Sequence, residues 1–422
     1  MTARFQFWLY QFTWTLALFL AVLILPIVFL FRRDLAVWFW QRLWPRPLEP
    51  HTLWLHGVSV GELKLAISLL QAQDNLDWSQ VLITTVTPNG WNYLQQLEQP
   101  CQKRRLPFDW LPSLNRFITA QSTHLLLVET EIWPALFQLV HKHGGTTAII
   151  NGRYGKKNQR NPFQALIRQT LFNLDRVFAR NASDLQAFIA AGLPARNGQA
   201  AGNLKFDLKP RAQIPPNLRV WCENQPFIVF ASVAEDERTG FAPIIQDLLQ
   251  KDPSLRILYA PRQVQQANAH RDLFDDGITR LRSQNAFDQS RLLILDSLGE
   301  LAGTFRYATA CVMGGGFGNR GGQNFLEPLA AGCPTLIGPY MTNFAEETQA
   351  AMEAAAILKV VSFEDLAEKM TGLLQSPEIL ADLRQRGLEF MSTHSGSLVR
   401  TRDRLLDWGW LPLQQPDPKP LE

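Results

Sequence analysis

The chain opens on a long apolar stretch. From residue 7 to residue 31 no side chain is charged, and the run FWLYQFTWTLALFLAVLILPIVFLF exceeds the roughly 20 apolar residues that cross a bilayer as a helix. A secretory signal would have an apolar region about half as long and a small-residue cleavage site, whereas Arg32 and Arg33 follow here. Trp8, Tyr10 and Trp14 near one end, and Trp38, Trp40 and Trp44 beyond the other, resemble the aromatic belts of membrane interfaces. Arg32, Arg33, Arg42 and Arg46 outnumber the single Arg4 on the other side, so the positive-inside rule puts the bulk of the chain in the cytosol. Pro26 can kink a helix, which keeps a half-inserted, monotopic arrangement as a variant.

Beyond this segment, short apolar runs alternate with longer amphipathic stretches, the pattern of parallel strands joined by crossover helices. The first half holds TLWLHGV (52–58), VLITTVT (81–87), HLLLVET (124–130), TTAIIN (146–151) and RVFAR (176–180). Residues 62–73 and 184–191 have helical apolar spacing. LKPRAQIPPNLR (208–219), with three prolines, reads as a linker, after which PFIVFASV, LRILYAPR, RLLILDS, TACVMGGG and CPTLIGP repeat the alternation. The expected organisation is an anchor over 1–34, a Rossmann-like domain over 35–210 and a second over 211–422, with the last helix free to pack back on the first domain.

Nearly every strand-like run ends in a chemical group: His56 and Ser59, Thr84 to Thr87, Glu129 and Glu131, Asn151 and Arg153, then Ser232, Arg262, Asp296 and the glycines from Gly314. Ligands of open parallel sheets sit at the carboxyl ends of strands, so two such rows predict two doubly wound domains facing a cleft. Composition narrows the choice. A net charge of +3 and the lack of a basic block interleaved with aromatics argue against nucleic acid as a partner. Cys101, Cys222, Cys311 and Cys333 have no metal-ligand spacing and read as reduced thiols.

In WLHGVSVGE (54–62), Glu62 falls in a first helical turn, where a carboxylate is a normal cap and also a candidate base. The N-terminal field of that helix is expected to hold it ionised. In VETEIWPAL (128–136), Glu129 and Glu131 are expected to divide their work, one addressing the cleft and the other bracing the fold. Lys205 in GNLKFD can stabilise charge on a leaving phosphate. In the second half, Arg262 ends a strand and offers a bidentate fork to phosphate or carboxylate. Gly299 and Glu300 stand at a strand-to-helix turn whose backbone can hold a base edge. GGGFGNRGGQNFLEPLAAGCP (314–334) offers glycine N–H groups and a helix start to phosphate, with Asn324 and Glu327 three apart and a carboxylate suited to ribose hydroxyls.

In this order, HGVSVGE, TTVTPNG, PFDW with NRF, VETEIWPAL, INGRY, GNLKFD, ASVAEDE, APR, DSLGEL, GGGFGNRGGQNFLEPLAAGCP and GPYMTNFAE resemble the 3-deoxy-D-manno-octulosonic acid (Kdo) transferases of lipopolysaccharide synthesis. The resemblance covers nearly the whole chain and implies a GT-B type glycosyltransferase, an inverting mechanism and no required metal or other cofactor. CMP-Kdo would be the donor and a tetraacylated lipid A precursor, lipid IVA, the acceptor, at the cytosolic face of the inner membrane. It puts the general base on Glu62 and transition-state stabilisation on Glu131 and Lys205. CMP contacts fall on Pro261, Arg262, Leu298, Gly299, Glu300, Asn324, Phe325, Leu326 and Glu327, with Ser59, Gly315, Gly316 and Gln323 as further candidates. The chain departs from the family where histidine is usual, at Gln263 and Gln323, where SVAEDE replaces STHxGE, and where NGRYGKKN lacks serines. Another activated sugar acid or acceptor, or a silent membrane-tethered binding protein of the same fold, are the alternative readings.

Overall fold

The computed structural model describes residues 2–118, 123–155, 162–208, 214–275, 277–284, 287 and 289–414. Part of the expected linker and the KKN of NGRYGKKN lie outside the described residues. The chain divides into two compact units, Met1–Asp207 with Ser395–Glu422, and Leu208–His394.

Each unit is built on a parallel seven-stranded sheet. The first is ordered β3-β2-β1-β4-β5-β6-β7, from β1 (Leu53–His56), β2 (Val81–Thr85), β3 (Gln102–Arg105), β4 (His124–Val128), β5 (Thr146–Gly152), β6 (Arg176–Ala179) and β7 (Gly198–Ala200). The second is ordered β10-β11-β9-β8-β12-β13-β14, from β8 (Phe227–Val233), β9 (Arg256–Pro261), β10 (Thr279–Leu281), β11 (Leu292–Ile294), β12 (Ala310–Met313), β13 (Thr335–Ile337) and β14 (Leu358–Lys359). The strand order reverses between β1 and β4 in one sheet and between β8 and β12 in the other. Helices cover both faces, so the central strands are apolar throughout: every residue of β1, β2, β11, β12 and β13 is buried.

The anchor is not a separate body. Helix α1 (Ala3–Phe31) runs unbroken through Pro26, and α2 (Arg33–Leu43) turns back on it, so that Leu18 and Trp14 share a cluster with Leu43, Phe39 and Phe108. Both helices belong to the first unit.

The second domain ends at 394 instead of 422. The carboxylate of Asp207 accepts from Gly396 N at 2.5 Å, from Leu398 N at 2.9 Å and from Ser397 Oγ, so it caps the helix Ser397–Asp407, whose local N-cap, Gly396, has no side chain. Past that helix the chain hydrogen-bonds to the segment at 75–77, and Trp410 stacks on His124 with centroids 5.1 Å apart. The C-terminal segment thus completes the first unit.

Candidate active site

In the first unit the switch point lies between β1 and β4, and the loops leaving these two strands carry the acids. After β1 the chain turns at Gly57, and helix α3 (Val60–Gln71) begins with Ser59 as N-cap. Ser59 Oγ accepts from Glu62 N at 3.3 Å and donates to Glu62 Oε1 at 2.9 Å, while Glu62 Oε2 accepts from Val58 N at 2.6 Å. This is a capping box in which the carboxylate reaches back to the residue before the cap. Thr85 and Thr87 of TTVTPNG both donate to the Val58 carbonyl, at 3.0 and 2.8 Å, and so fix the peptide that holds Glu62.

Strand β4 ends at Val128, and Glu129 then adopts φ +64°, a left-handed conformation uncommon for a non-glycine residue. That turn allows Glu129 to pair with Lys205 Nζ at 3.2 Å. Asn151, at the end of β5 with φ +53°, accepts from Leu204 N at 2.9 Å and anchors the segment that carries the lysine. Glu129 is thus tied to the segment that carries Lys205, and its charge also acts on Glu131. Burial raises the Glu131 pKa to about 7, helped by the charges of Glu62 and then Glu129. Glu62 is also raised, by burial first and by Glu129. The helix field does not lower the Glu62 pKa on balance, because desolvation outweighs the bonds from Val58 and Ser59. His56 is fully buried, its pKa lowered to about 3 by desolvation, with Nδ1 2.9 Å from Thr84 Oγ1; it is a neutral core residue.

One contributor was hidden in PFDW. Asp109 is buried and accepts from Ala135 N at 3.0 Å and Leu136 N at 2.8 Å, capping the helix Pro134–Lys142, which has no local side-chain cap. It also accepts from Tyr10 Oη of α1 at 2.9 Å. The helix that follows Glu131 is thereby fixed to the apolar N-terminal helix. Only a long-range contact shows this, and the sequence carried no sign of it beyond the motif itself.

Glu131 makes a prediction about stability. Its carboxyl titrates near 4.5 when unfolded and near 7 when folded, so the folded state keeps a proton that the unfolded chain loses between those values. Stability falls as pH rises through this window. Glu131→Gln should therefore melt higher than the parent at pH 8, by about 1–3 kcal/mol after allowing for solvent screening, and nearly level with it at pH 4.5. Thermal melts at the two pH values check this; an equal difference at both would remove the charge explanation.

In the second unit, the switch between β8 and β12 brings the glycine loop beside Ser232, which has φ +54°. Glu237, 1% exposed, accepts from Ala234 N at 3.0 Å, Gly315 N at 2.6 Å and Phe317 N at 2.8 Å. Gly314 N bonds to Ala231 O, and Gly322 N to Gly315 O. Four glycine-loop amides expected to face phosphate are thus spent inside the protein. The helix after the loop, Leu326–Ala330, is a single short turn. The loop is a braced shelf, and the cation beside it is Arg262, which donates to Gln323 Oε1. Gly315 must be glycine twice over, since its φ is +77° and a Cβ would stand 2.7 Å from Gln323 Cγ.

The other donor-side candidates fall into place unequally. Asn324 Nδ2 donates to Glu327 Oε1 at 3.2 Å, so the two do meet, while Phe325 and Leu326 are buried. Glu300 is engaged by Arg282 at 3.0 Å and by Ser297 Oγ, which makes it a brace, and Leu298 is 78% exposed beside Gly299 at φ +86°. Pro261 is buried at the end of β9, and Gly316 O accepts from Tyr340 N. Among the described residues, no three His, Cys, Asp or Glu side chains are grouped to hold a metal ion.

The family model for 3-deoxy-D-manno-octulosonic-acid transferase (kdotransferase) matches residues 32–208, the segment that carries Glu62, Glu131 and Lys205. The 3-deoxy-D-manno-octulosonic acid transferase of Bordetella pertussis is 29% identical over 391 residues, covering 86% of this chain and 89% of that protein. That of Haemophilus influenzae is 26% identical over 370 residues, covering 84% and 87%. The chain resembles the Kdo transferases over most of its length. It is a glycosyltransferase of the GT-B type, and the solved structures agree on the fold. A putative UDP-N-acetylglucosamine 2-epimerase from Listeria monocytogenes superposes with a TM-score of 0.55 at 12% identity, over 85% of this chain and 95% of that one. The corresponding enzyme of Neisseria meningitidis gives 0.53 at 13%, over 85% and 98%. Identities this low speak to architecture alone.

Proposed function

We propose that this glycosyltransferase moves Kdo from CMP-Kdo to a lipid A precursor, lipid IVA, with inversion at the anomeric carbon, on the cytosolic face of the inner membrane to which α1 attaches it. The observation that carries the reading is the acid group at the β1/β4 switch, where burial and the neighbouring carboxylates raise the proton affinity of Glu62 and Glu131 beside the Glu129–Lys205 pair. A base with a raised pKa suits proton removal near neutral pH. The acceptor hydroxyl oxygen attacks the anomeric carbon, Glu62 takes its proton, and the bond to the phosphate oxygen breaks with its electron pair leaving on CMP. Lys205 and Glu131, the latter carrying a proton for part of the time at neutral pH, stabilise the charge that develops. Arg262, oriented by Gln323, is the cation for the donor's phosphate or carboxylate. Gln323 holds this bond without titrating, so donor binding should show no histidine-like ionisation.

Mass spectrometry of lipid IVA incubated with the purified protein and CMP-Kdo tests the reading. A product heavier by one or more Kdo residues, formed with release of CMP, is the expected result. Unchanged lipid together with product formation from another CMP-activated sugar acid would move the assignment to that donor.

A further inference from the structure

The apolar helix α1 has two unlike faces as far as Leu18, and from Phe19 to Phe31 it is apolar on every side with no residue buried. Phe5, Trp8, Phe12, Leu16, Phe19 and Leu23 recur every three or four residues, and the same spacing continues through Ile27 to Leu30; all are 50–79% exposed. The facing stripe is polar at its N-terminal half and is hydrogen-bonded to the first unit. Gln6 Oε1 accepts from Leu166 N at 2.9 Å, Gln11 bonds to Asp109 O at 3.0 Å and to Leu111 N at 2.9 Å, and Thr15 Oγ1 accepts from Trp110 Nε1 at 2.9 Å. Tyr10 reaches Asp109 from the same side.

A helix crossing the bilayer would have to break these bonds and strip the buried Asp109 of a partner. Length decides the matter as well. From Leu18, where the dock ends, to Phe31 there are 13 residues, or about 20 Å of helix, short of the roughly 30 Å hydrocarbon core. Then α2 returns, with Leu43 beside Leu18. The turn of this hairpin carries Arg32, Arg33 and Asp34, all exposed, and driving it tip-first into lipid would bury three charges.

We infer that α1 lies in the plane of a single leaflet, its stripe from Phe5 to Leu30 among the acyl chains, and that the protein is monotopic, with both ends of the helix on the side of the globular unit. The exposed Arg4, Arg32, Arg33 and Arg46 then sit at headgroup level, where anionic lipid would attract them. This replaces the spanning arrangement that length and arginine bias alone suggest, and it does not depend on which sugar is transferred.

Full-length protein with Cys101→Ser removes the one cysteine that is not buried. On that background Thr2→Cys and, as a reference on the globular unit, Glu98→Cys are compared in sealed vesicles from expressing cells with a membrane-impermeant maleimide. Both should label from the same face to similar extent without detergent. Labelling of Thr2→Cys only after detergent, while Glu98→Cys labels freely, would overturn the inference. A second measurement guards against altered insertion of one variant: fluorophores at Trp8→Cys, Phe19→Cys and Ile27→Cys, quenched by nitroxide lipids, should report one shallow depth. A profile that passes through the bilayer midplane at residue 19 would sink it.

Discussion

Glu62→Gln should lower kcat by about 100 to 10,000-fold while leaving the fold and nucleotide binding in place. The magnitude is that of general-base catalysis. The variant keeps its structure because the amide oxygen can still accept from Val58 N and the amide nitrogen can donate to Ser59 Oγ, so the capping box closes with a neutral partner. Its pH profile carries further information. In the parent, activity should rise as Glu62 loses its proton, at a pH above the ordinary carboxylate range because burial and Glu129 raise its pKa, and then bend near 7 where Glu131 titrates. Such a bell belongs to the coupled group of acids and not to one residue. Steady-state rates from pH 5 to 9, with melting curves as a control, decide the point. A Glu62→Gln enzyme with parental kcat would leave the carboxylate as a helix cap and nothing more.

Glu237→Ala should damage the other unit as severely, but through position. Two buried amides, of Ala234 and Gly315, and the half-buried amide of Phe317 lose their acceptor, each at about 1–3 kcal/mol, so a loss of about 3–9 kcal/mol in stability is expected. The glycine loop would slacken and Gln323, packed against Gly315, would lose its place beside Arg262, raising the donor KM by ten-fold or more. Glu237→Gln, which retains one acceptor oxygen, should restore part of both. Melting temperature and donor KM measured on the two variants test this together. An alanine variant with unchanged KM would show that the loop holds its shape without the brace.

The sequence was readable where strands are central and unreadable at the rims. Every apolar run picked out beforehand became a strand, from Leu53–His56 to Thr335–Ile337, because interior strands of a parallel sheet are covered on both faces and must be apolar. The four strands without such a signal, Gln102–Arg105, Gly198–Ala200, Thr279–Leu281 and Leu358–Lys359, are the four sheet edges. An edge pairs on one side only and is kept short or charged, as the QKRR of the first shows, so periodicity has nothing to detect. The site divides in the same way. Glu62 with its cap lies within four residues and could be read from its own motif. Asp109 with the helix Pro134–Lys142, and Gly315 with Glu237, are pairings made across the fold, and residue type alone gave no hint that the glycine amides were already taken.

The bond between Asp207 and the helix Ser397–Asp407 also orders events in time. The two ends of that contact are 190 residues apart in the chain, with the whole second unit between them. A ribosome finishes the strands of the first unit early, yet their last covering helix leaves the exit tunnel only after the second unit has been made. The nascent first half must wait in an incomplete state, its apolar N-terminal helix already available to lipid, until the final turn of the chain arrives. Early capture by the membrane would shelter that half while it waits.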